Sequence, residues 1–521
     1  MTTTLNHDVS TLGSRHRAWT LAVVSIATFM LMLDLTVVYV AMPNMQATYS
    51  SSFSALQWVL DAYSIGLAVF LLTAGSLADR LGRKRVFLVG LLIFVLASMV
   101  CGLATDVVML SVARAVQGIG GAVLYAIGPA LIGHEYRGRE RATAFGVFGA
   151  VTGLAIALGP LIGGALTAWD WRFIFLINVP AGLVALVVAQ LRLRESRKAD
   201  ARRLDWAGLV IFCLALSLLA FAVLRGEDEG WESALITGAF IGFGVLLALF
   251  VVVERRAGER AMLDLRLFRN RTFVGMSVAT ALCAGSFMFA IFIFTSYLQN
   301  ILRLSAWEDG VRMLPLTVSL FVSAAASGAL ASRAPARLVA AGALVAITAG
   351  LLLATAVANG SAWTALLPAF VIGGLGMGLF TGRRSAMAIA VVDPSRAGMA
   401  SGINVTFQQI GTAIGIAGLG AIFQHRASHQ FLESSAGREL GGRAAASVAA
   451  DGGAGLQASI RQPILAAQAL RAAQEAYLTA FDVVMVAAAA IALVGAVVAV
   501  LLIRTRDLHE SATEVPVLPA D

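Results

Sequence analysis

Two carboxylates and one guanidinium interrupt long apolar runs of this 521-residue chain. Asp34 lies within FMLMLDLTVVYVAMP (29–43), Asp61 within WVLDAYSIG, and Arg114 begins RAVQGIGGA (114–122). A charged side chain at the centre of an apolar helix costs roughly 2.5–3.5 kcal/mol on insertion, so such residues usually mark pathways for ions or protons. Removal from water favours the neutral form of a carboxyl group, as reversible proton binding requires. We therefore expect proton chemistry at Asp34 and Asp61.

The two carboxylates are predicted to lie at similar depth. Asp34 is about nine residues from the outer end of its run and Asp61 about six, which at a rise of 1.5 Å per residue gives about 9–14 Å for both. We expect them to face one shared cavity; the alternative is that each bonds a neighbouring helix or stabilises a kink. Arg114 needs a partner, and the candidates are Asp34, the amide of Gln117 and backbone carbonyls.

The elements that carry these residues are predicted to be transmembrane helices. Hydrophobic residues make up 59% of the chain and charged residues 13%, which exceeds what a soluble core could bury. Runs of about 20 apolar residues, enough to cross a bilayer, are too long for barrel strands. The predicted fold class is therefore an all-α integral membrane protein. The fourteen predicted spans are 19–42, 55–77, 85–104, 107–133, 141–168, 172–191, 205–224, 235–253, 272–297, 308–332, 337–358, 363–385, 399–424 and 478–503.

The basic residues predict the orientation of these spans. Of the 38 Arg and Lys residues, 28 lie in or beside short loops on the side of the N-terminus, and four lie in short loops on the other side. This asymmetry follows the positive-inside rule and predicts that both termini are cytoplasmic. The net charge of +8 is thereby explained by topology, so nucleic-acid binding is not expected. The first span is too long for a signal peptide.

A repeat indicates that the membrane part is duplicated. GSLADRLGRKR (75–85) follows the second span, and GALASRAPARL (328–338) follows the tenth at a constant offset of 253 residues. Two similar loops on one face imply parallel halves of six spans each, the architecture of two-lobed transporters with a site near the membrane midplane. At this offset Asp34, Asp61 and Arg114 have no charged counterpart, so proton chemistry is expected in the first half.

Several motifs resemble one transporter family along essentially the whole membrane part. The loop 75–85, the segment 114–122 and GLAIALGPLIGGAL (153–166) resemble the loop, span-4 and span-5 motifs of the major facilitator superfamily. Four further segments are similar to its fourteen-span drug:proton antiporter branch: LDLTVVYVAMP (33–43), WRFIFLINVPAG (171–182), MLDLRLFRNRTF (262–273) and SGINVTFQQIGTAIG (401–415). The resemblance implies a major facilitator fold, with two six-helix lobes and two inserted helices.

The resemblance and the residue pattern together define candidate sites. Arg114 is expected to act with Asp34 and Asp61 in proton coupling. The predicted substrate cavity comprises Tyr39, Trp58, Tyr63, Gln117, Tyr297, Gln299, Asn404 and Gln408. The predicted conformational motifs comprise Gly75, Asp79, Arg80, Gly82 and Arg83 in the loop, and Gly153, Gly159, Pro160, Gly163 and Gly164 in span 5. We expect a charge latch at Asp79 and Arg80, and one narrow, bendable face in span 5.

The predicted domains follow the spans. They are the cytoplasmic N-terminus 1–18, the N-lobe 19–198, the inserted spans and linkers 199–270, the C-lobe 271–505 and the cytoplasmic tail 506–521. The long loop 425–477 is predicted to be extracytoplasmic. The segment 456–481, which begins within this loop, is rich in helix formers and predicts a helical segment, with a solvated linker as the alternative.

These observations predict an antiporter in a bacterial cytoplasmic membrane that exchanges inbound protons for outbound amphipathic, often cationic, molecules. An uptake symporter and a dedicated metabolite or antibiotic exporter of the same fold stay open. An enzyme is not expected, because Walker, H-E-x-x-H and G-x-S-x-G motifs are absent from the sequence. No cofactor or metal is expected; His425 and His429 form only a weak pair. The lipid bilayer, a functional monomer and, in a host with an outer membrane, a periplasmic adaptor protein complete the expected partners.

Overall fold

The computed structural model describes residues 2–136, 138–195, 206–258, 265–331, 335–390, 397–453, 456, 460 and 462–504, and these residues form helices and their connections. The first nine helices are α1 (Thr2–Tyr49), α2 (Phe53–Leu81), α3 (Arg83–Gly102), α4 (Val107–Glu135), α5 (Gly138–Thr167), α6 (Phe173–Leu176), α7 (Asn178–Arg192), α8 (Trp206–Glu229) and α9 (Ala234–Ala257). Side chains cap several of them: Asp106 accepts from two backbone amides at the start of α4.

The second half has the same all-helical character. A 3₁₀ turn (Leu265–Arg269) leads into α10 (Arg271–Ser296), which ends in a π-helical turn (Tyr297–Ile301). The helices that follow are α11 (Ala306–Arg312), α12 (Leu314–Ala331), α13 (Ala336–Ala354), α14 (Leu367–Ala390), preceded by a 3₁₀ turn (Trp363–Leu366), α15 (Ala397–Glu433), α16 (Ser435–Asp451) and α17 (Pro463–Leu502).

The predicted spans correspond to these helices. Among the described residues, eleven helices are long and apolar enough to cross a membrane, and thirteen if each of two bent pairs counts as one span. A shorter apolar stretch, Trp206–Leu219 in α8, lies where the seventh span was predicted. The all-helical membrane fold is therefore confirmed, whereas the number of fourteen stays a prediction.

Each of the two bent helix pairs has a proline shortly after its bend. The two parts of α5, Val147–Ile156 and Leu158–Thr167, meet at 45°. Pro160 removes one helical hydrogen bond, and its ring crowds the carbonyl four residues earlier, that of Ile156. The pair α11 and α12 bends by 40° at Met313, two residues before Pro315. The helix predicted as span 5 is thus bent just before Pro160, and its role as a bendable element stays a prediction.

The helices pack into two groups, which we call the N-lobe (α1–α7) and the C-lobe (α10–α17). Within the N-lobe, α2 packs on α4 and α1 on α5; within the C-lobe, α12 packs on α14 and α10 on α15. The lobes meet where α2 packs on α15 and where α5 packs on α11 and α12. The inserted pair α8 and α9 lies beside this boundary, because α8 packs on both α2 and α15.

The segment predicted as a long loop is largely helical. α15 continues to Glu433, α16 follows, and α17 begins at Pro463. An apolar cluster that includes Phe431, Val448 and Ala473 joins the three helices. The helical prediction for 456–481 is confirmed from Pro463 onward; its extracytoplasmic location and the domain boundaries stay predictions.

Candidate functional site

Asp34 and Arg114 form an ion pair in the interior of the N-lobe. The side-chain oxygen Oδ2 of Asp34 accepts a hydrogen bond from Nη1 of Arg114 at 2.6 Å. Each residue is only 1% exposed. Of the partners considered for Arg114, the structure shows all three kinds, because Gln117 Oε1 accepts from Nη1 at 2.7 Å and the Val59 carbonyl accepts from Nε at 3.3 Å.

Amide and hydroxyl groups hold the other carboxylate oxygen. Oδ1 of Asp34 accepts from Nε2 of Gln117 at 2.9 Å and from Nδ2 of Asn178 on α7 at 3.2 Å. Ser98 Oγ on α3 accepts from the same two amides, at 2.8 Å and 3.0 Å. Residues of α1, α3, α4 and α7 therefore form one network around this carboxylate. Its three other named side chains, Gln117, Asn178 and Ser98, are uncharged, so the network balances one negative charge with one positive charge.

Aromatic rings cover the guanidinium of Arg114. Its Cζ lies 4.1 Å from the ring centroid of Tyr63 and 5.6 Å from that of Phe175. A cation over a ring face is attracted by the ring quadrupole. Tyr63, predicted to line the substrate cavity, is fully buried at this position. Gln117, also predicted there, instead belongs to the carboxylate network. Both residues contact the guanidinium of Arg114.

Asp61 lies outside this network and has different surroundings. It is fully buried on α2, and neither carboxylate oxygen has a hydrogen-bond partner among the described residues. It lines a cleft whose other walls belong to α8 and α15, whereas Asp34 is enclosed by α3, α4 and α7. Tyr39, on α1, is buried and within electrostatic range of Asp61 and Arg114. The structure therefore shows two acidic sites and not one shared cavity.

The predicted cavity residues of the C-lobe do not form one cluster. Nε2 of Gln299 donates to the Val40 carbonyl at 2.8 Å, across the lobe boundary. Asn404 donates to Thr280 Oγ1 at 3.2 Å, within the C-lobe. Two others contact neighbours in the same lobe, because Tyr297 packs against Phe481 and Gln408 accepts a hydrogen bond from Arg384. In the N-lobe, the remaining predicted cavity residue Trp58 lies on α2 and is half-buried.

Two buried charged residues of the C-lobe were missed by the sequence comparison. Asp309, on α11, is fully buried, and its Oδ2 accepts from Gln299 Nε2 at 2.7 Å. Arg384, on α14, is 6% exposed and donates to Gln408. Comparison of the two halves at an offset of 253 residues aligned no acid with Asp34 or Asp61, because it matches positions in the sequence only. Asp309 is buried because its short helix packs against the other lobe. Its place beside a predicted loop gave no signal of burial.

The turn between α2 and α3 is held by the carboxylate of Glu195, which lies three residues after the end of α7. Gly82 has a φ of 106°, and a side chain there would overlap the carboxylate of Glu195. That carboxylate accepts from the backbone amides of Lys84 at 3.1 Å and Arg85 at 3.3 Å. A negative group at the start of α3 is favoured by the helix dipole. Glu195 lies outside the motif, so the sequence gave no reason to choose it.

The structure places some of the other residues of this motif, whereas the side chains of others lie outside the described residues. Gly75 faces open space within α2, and Arg83 begins α3 and is half-buried. Asp79 and Arg80 belong to α2, but their side chains lie outside the described residues. The charge latch between them therefore stays a prediction.

The small residues of span 5 face two neighbours. A side chain at Gly159 or Gly163 would meet Thr36 or Val37 of α1. Toward the other lobe, a side chain at Gly164 would overlap the Ala306 carbonyl of α11. Likewise, a side chain at Gly310 of α11 would overlap the carbonyl oxygen of Pro160. Gly153 faces Phe321 of α12 in ordinary contact. The prediction of a single narrow face is wrong, because α5 packs between its own lobe and the other.

Comparisons with known proteins agree with this architecture. Residues 24–416 match the family model described as Major Facilitator Superfamily. The chain is 33% identical over 412 residues to "Multidrug resistance protein Stp" of Mycobacterium tuberculosis, covering 78% of this chain and 76% of that protein. It is 32% identical over 518 residues to "Tetracenomycin C resistance and export protein" of Streptomyces glaucescens, covering 98% and 96%.

A solved structure supports the same fold. The occupied, inward-facing form of a bacterial homolog to the human lysosomal transporter Spinster superposes with a TM-score of 0.65 at 17% identity, covering 95% of this chain and 98% of that chain. With the family model matching most of the sequence, the helical fold and a buried ion pair inside one lobe, the chain belongs to the Major Facilitator Superfamily of membrane transporters.

Proposed function

We propose that this protein is a proton-coupled antiporter that exports amphipathic, often cationic, small molecules by alternating access. The observation that carries the proposal is the ion pair between Asp34 and Arg114, buried in the N-lobe. The family supplies a fold of two lobes that move about a site near the membrane midplane. The direction of transport is supported by the two relatives whose names state drug resistance or export.

A proton on Asp34 would change the balance of charge in the network. Arg114 would then keep only uncharged partners: Gln117 Oε1, the Val59 carbonyl and the Tyr63 ring. Removing one partner of a buried ion pair costs roughly 3–5 kcal/mol. A free-energy difference of that size biases two lobes toward the arrangement that better accommodates the protonated network. Asp61 is proposed as a second proton-coupling residue, because its buried carboxylate has no partner in the described network.

The membrane potential and proton gradient would drive export without ATP. One charge crossing the membrane gains about 2.3 kcal/mol per 100 mV, so an assumed potential of about 150 mV supplies about 3.5 kcal/mol. This corresponds to a gradient of several hundredfold per charge, since about 1.4 kcal/mol is tenfold. The proposed setting is a cytoplasmic membrane with both chain termini in the cytoplasm, a functional monomer and, where an outer membrane exists, a periplasmic adaptor protein.

The direct test is proton-driven exchange by the reconstituted protein. Proteoliposomes with an imposed pH gradient are loaded with ethidium, a lipophilic cation, and its movement is followed by fluorescence for wild type and Asp34→Asn. We expect gradient-driven exchange in wild type and its loss in the variant, because Asn cannot carry the proton. Unchanged gradient-driven exchange in Asp34→Asn would reject the proposal.

A matched control is available in the same lobe. Asp106→Asn makes the same chemical change at an exposed carboxylate that caps α4, and Asn is an equally good cap. This control is expected to transport like wild type. The direction of movement in the same vesicles separates the antiporter from an uptake symporter of this fold. A panel of unrelated amphipathic compounds separates a multidrug exporter from one dedicated to a single metabolite or antibiotic.

A further inference from the structure

Asp309 is a buried acid at the boundary between the lobes, on the side predicted to be extracytoplasmic, which we call the outer side. It is fully buried on α11, and Gln299 Nε2 donates to its Oδ2 at 2.7 Å. Its other oxygen, Oδ1, has no hydrogen-bond partner among the described residues. The hydroxyl of Thr295 on α10 is a close neighbour outside hydrogen-bond geometry, and it lacks a partner as well. Buried polar atoms are nearly always hydrogen-bonded, so these two oxygens require an explanation.

Comparison with Asp34 shows what a buried charge requires in this protein. The carboxylate of Asp34 accepts hydrogen bonds from one guanidinium and two amides. In the described hydrogen bonds, Asp309 accepts from one amide. A carboxylate offers about four acceptor sites, whereas a neutral acid donates its own proton and needs fewer donors. The surroundings of Asp309 therefore suit the neutral acid, whose proton can point toward Thr295.

The cation on the same helix pairs with a different acid. Arg312, one turn further along α11, acts on Asp309 through space. Its Nη1 donates to the Glu308 carbonyl at 3.2 Å and lies 3.7 Å from Glu308 Oε1, which is its partner in the described ion pairs. Burial of a carboxylate without a paired cation is costly, and such a group usually becomes neutral by binding a proton.

The elements packed against α11 add no charge that would stabilise an ionised Asp309. They are α5, α1, α12 and the π-helical turn. Residues 142–167 of α5 and 314–331 of α12 contain no titratable side chain. The titratable groups of the other two elements near this contact are the phenols of Tyr39 and Tyr297, which are neutral near pH 7.

The burial of Asp309 depends on contact between the lobes. Its helix approaches α5 so closely that a side chain at Gly310 would overlap the carbonyl oxygen of Pro160. Gln299, which holds Asp309, also donates to the Val40 carbonyl of α1 at 2.8 Å. Separation of the lobes on the outer side would break both contacts and admit water to the acid.

We propose that Asp309 binds a proton when the outer side closes and releases it to the outside when that side opens. Water stabilises the ionised acid in the open arrangement, whereas burial favours the neutral acid in the closed one. A ligand that binds one of two states shifts the equilibrium toward that state. Closure is therefore favoured at low pH, and this contribution is lost as the pH rises and the buried acid ionises. Because the proton returns to the side from which it came, this switch is separate from the proposed coupling at Asp34 and Asp61.

The first test measures opening of the outer side as a function of pH. Spin labels at Thr105→Cys and Asn359→Cys, exposed positions on the predicted outer side of opposite lobes, report the distance in lipid nanodiscs without gradient or substrate. The background lacks the three native cysteines. As the pH rises we expect longer distances, with a closed-to-open ratio that changes by at most about tenfold per pH unit for one proton. Asp309→Asn should lose most of this response and stay closed, because its amide resembles the neutral acid.

Two further variants accompany this measurement. Asp170→Asn is the matched control, because it makes the same change on the outer side at a partly exposed carboxylate. Asn keeps the hydrogen bond that Asp170 accepts from the Arg172 amide at 2.9 Å, so its pH response should equal that of wild type. Asp309→Ala provides a second neutral variant should Asp309→Asn not fold.

Infrared difference spectroscopy detects the proton itself. The C=O stretch of a protonated carboxyl group is separate from the bands of a carboxylate. Near pH 7, the difference between wild type and Asp309→Asn should contain the band of a protonated acid. The difference between wild type and Asp170→Asn should contain carboxylate bands instead, since an exposed aspartate is ionised at this pH.

Loss of the pH-dependent shift in Asp309→Asn, together with the protonated-acid band, supports the switch. A wild-type pH response in both neutral variants overturns it, as does a wild-type distance that is independent of pH. Carboxylate bands from Asp309 in the closed protein also overturn it, because a cation must then balance the charge. Neither measurement uses a gradient, so absence of proton-driven exchange would reject the proposed function and retain the switch.

Discussion

Gln299 bridges Asp309 and the opposite lobe. Its side-chain nitrogen donates to the Asp309 carboxylate at 2.7 Å and to the Val40 carbonyl of α1 at 2.8 Å. A single amide thus connects a fully buried acid of the C-lobe with the backbone of the N-lobe. The contact lies at the ends of α1 and α10 that are predicted to be extracytoplasmic, so it holds the lobes together on that side.

Removal of this amide should weaken closure of the outer side. Gln299→Ala leaves a buried carboxylate and a carbonyl without their donor, which costs about 1–3 kcal/mol. We expect the distance between spin labels at Thr105→Cys and Asn359→Cys, which are exposed and lie on the predicted outer side of opposite lobes, to shift toward longer values. The measurement is pulsed electron resonance in a background without the three native cysteines.

The neighbouring amide provides the control for this experiment. Asn300 donates to Ser296 Oγ within the same turn and makes no contact across the boundary in the described hydrogen bonds. Asn300→Ala should therefore leave the distance distribution unchanged. An equal shift in both variants would show that the π-helical turn, and not the bridge from Gln299, sets the distance.

Close approach of α5 and α11 depends on Gly164. A methyl group there would overlap the Ala306 carbonyl, so Gly164→Ala must separate the two backbones or strain them. Overpacking of this kind typically costs about 1–3 kcal/mol. We expect slower substrate turnover in vesicles and reduced closure of the outer side. Gly149→Ala, the same change on the same helix at a position with open space, should behave like wild type; comparable loss in both would contradict the packing argument.

The loop at Gly82 should not tolerate a side chain. Gly82→Ala has two costs, because alanine disfavours a φ of 106° and its methyl group displaces the Glu195 carboxylate. Gly230 also has positive φ, 86°, but faces open space, so Gly230→Ala carries the backbone cost alone. Unfolding in detergent should show a larger loss of thermal stability for Gly82→Ala, and the excess should shrink in a Glu195→Ala background.

The ion pair at Asp34 should show compensation between its two partners. Arg114→Gln leaves a buried carboxylate without its cation and should lower stability by about 3–5 kcal/mol. The double variant Asp34→Asn with Arg114→Gln removes both charges and should recover most of that stability, as measured by thermal unfolding. Exchange driven by a proton gradient should stay absent in the double variant. Recovery of exchange together with stability would show that the pair has a structural role only.

Much of the architecture could be predicted from the sequence because hydropathy is a local property. Twenty apolar residues form a membrane helix whichever helices surround them, and basic loops orient the chain without reference to its packing. For the same reason Asp34 and Arg114 could be selected as candidates: a charge in an apolar run is conspicuous in the sequence. The pairing between them was one of several alternatives, and the structure shows it at 2.6 Å.

Other features depended on which helices become neighbours, and the sequence does not contain that information in local form. Asn178 and Ser98 are ordinary polar residues until α7 and α3 bring them to Asp34. Asp309 lies beside a loop, yet contact with the other lobe buries it completely. Helical periodicity indicates that a residue lies on a face, but it does not identify the partner of that face.

The sequence by itself determined the membrane class, the helix positions, the family motifs and the identity of the charged residues. The tertiary structure decided that Asp34 and Asp61 have separate surroundings, that α5 packs on two neighbours, and that an inserted helix closes a cleft beside Asp61. The physical reason is that burial and pairing arise from contacts between segments far apart in the chain, whereas hydropathy and helix formation are set within each segment.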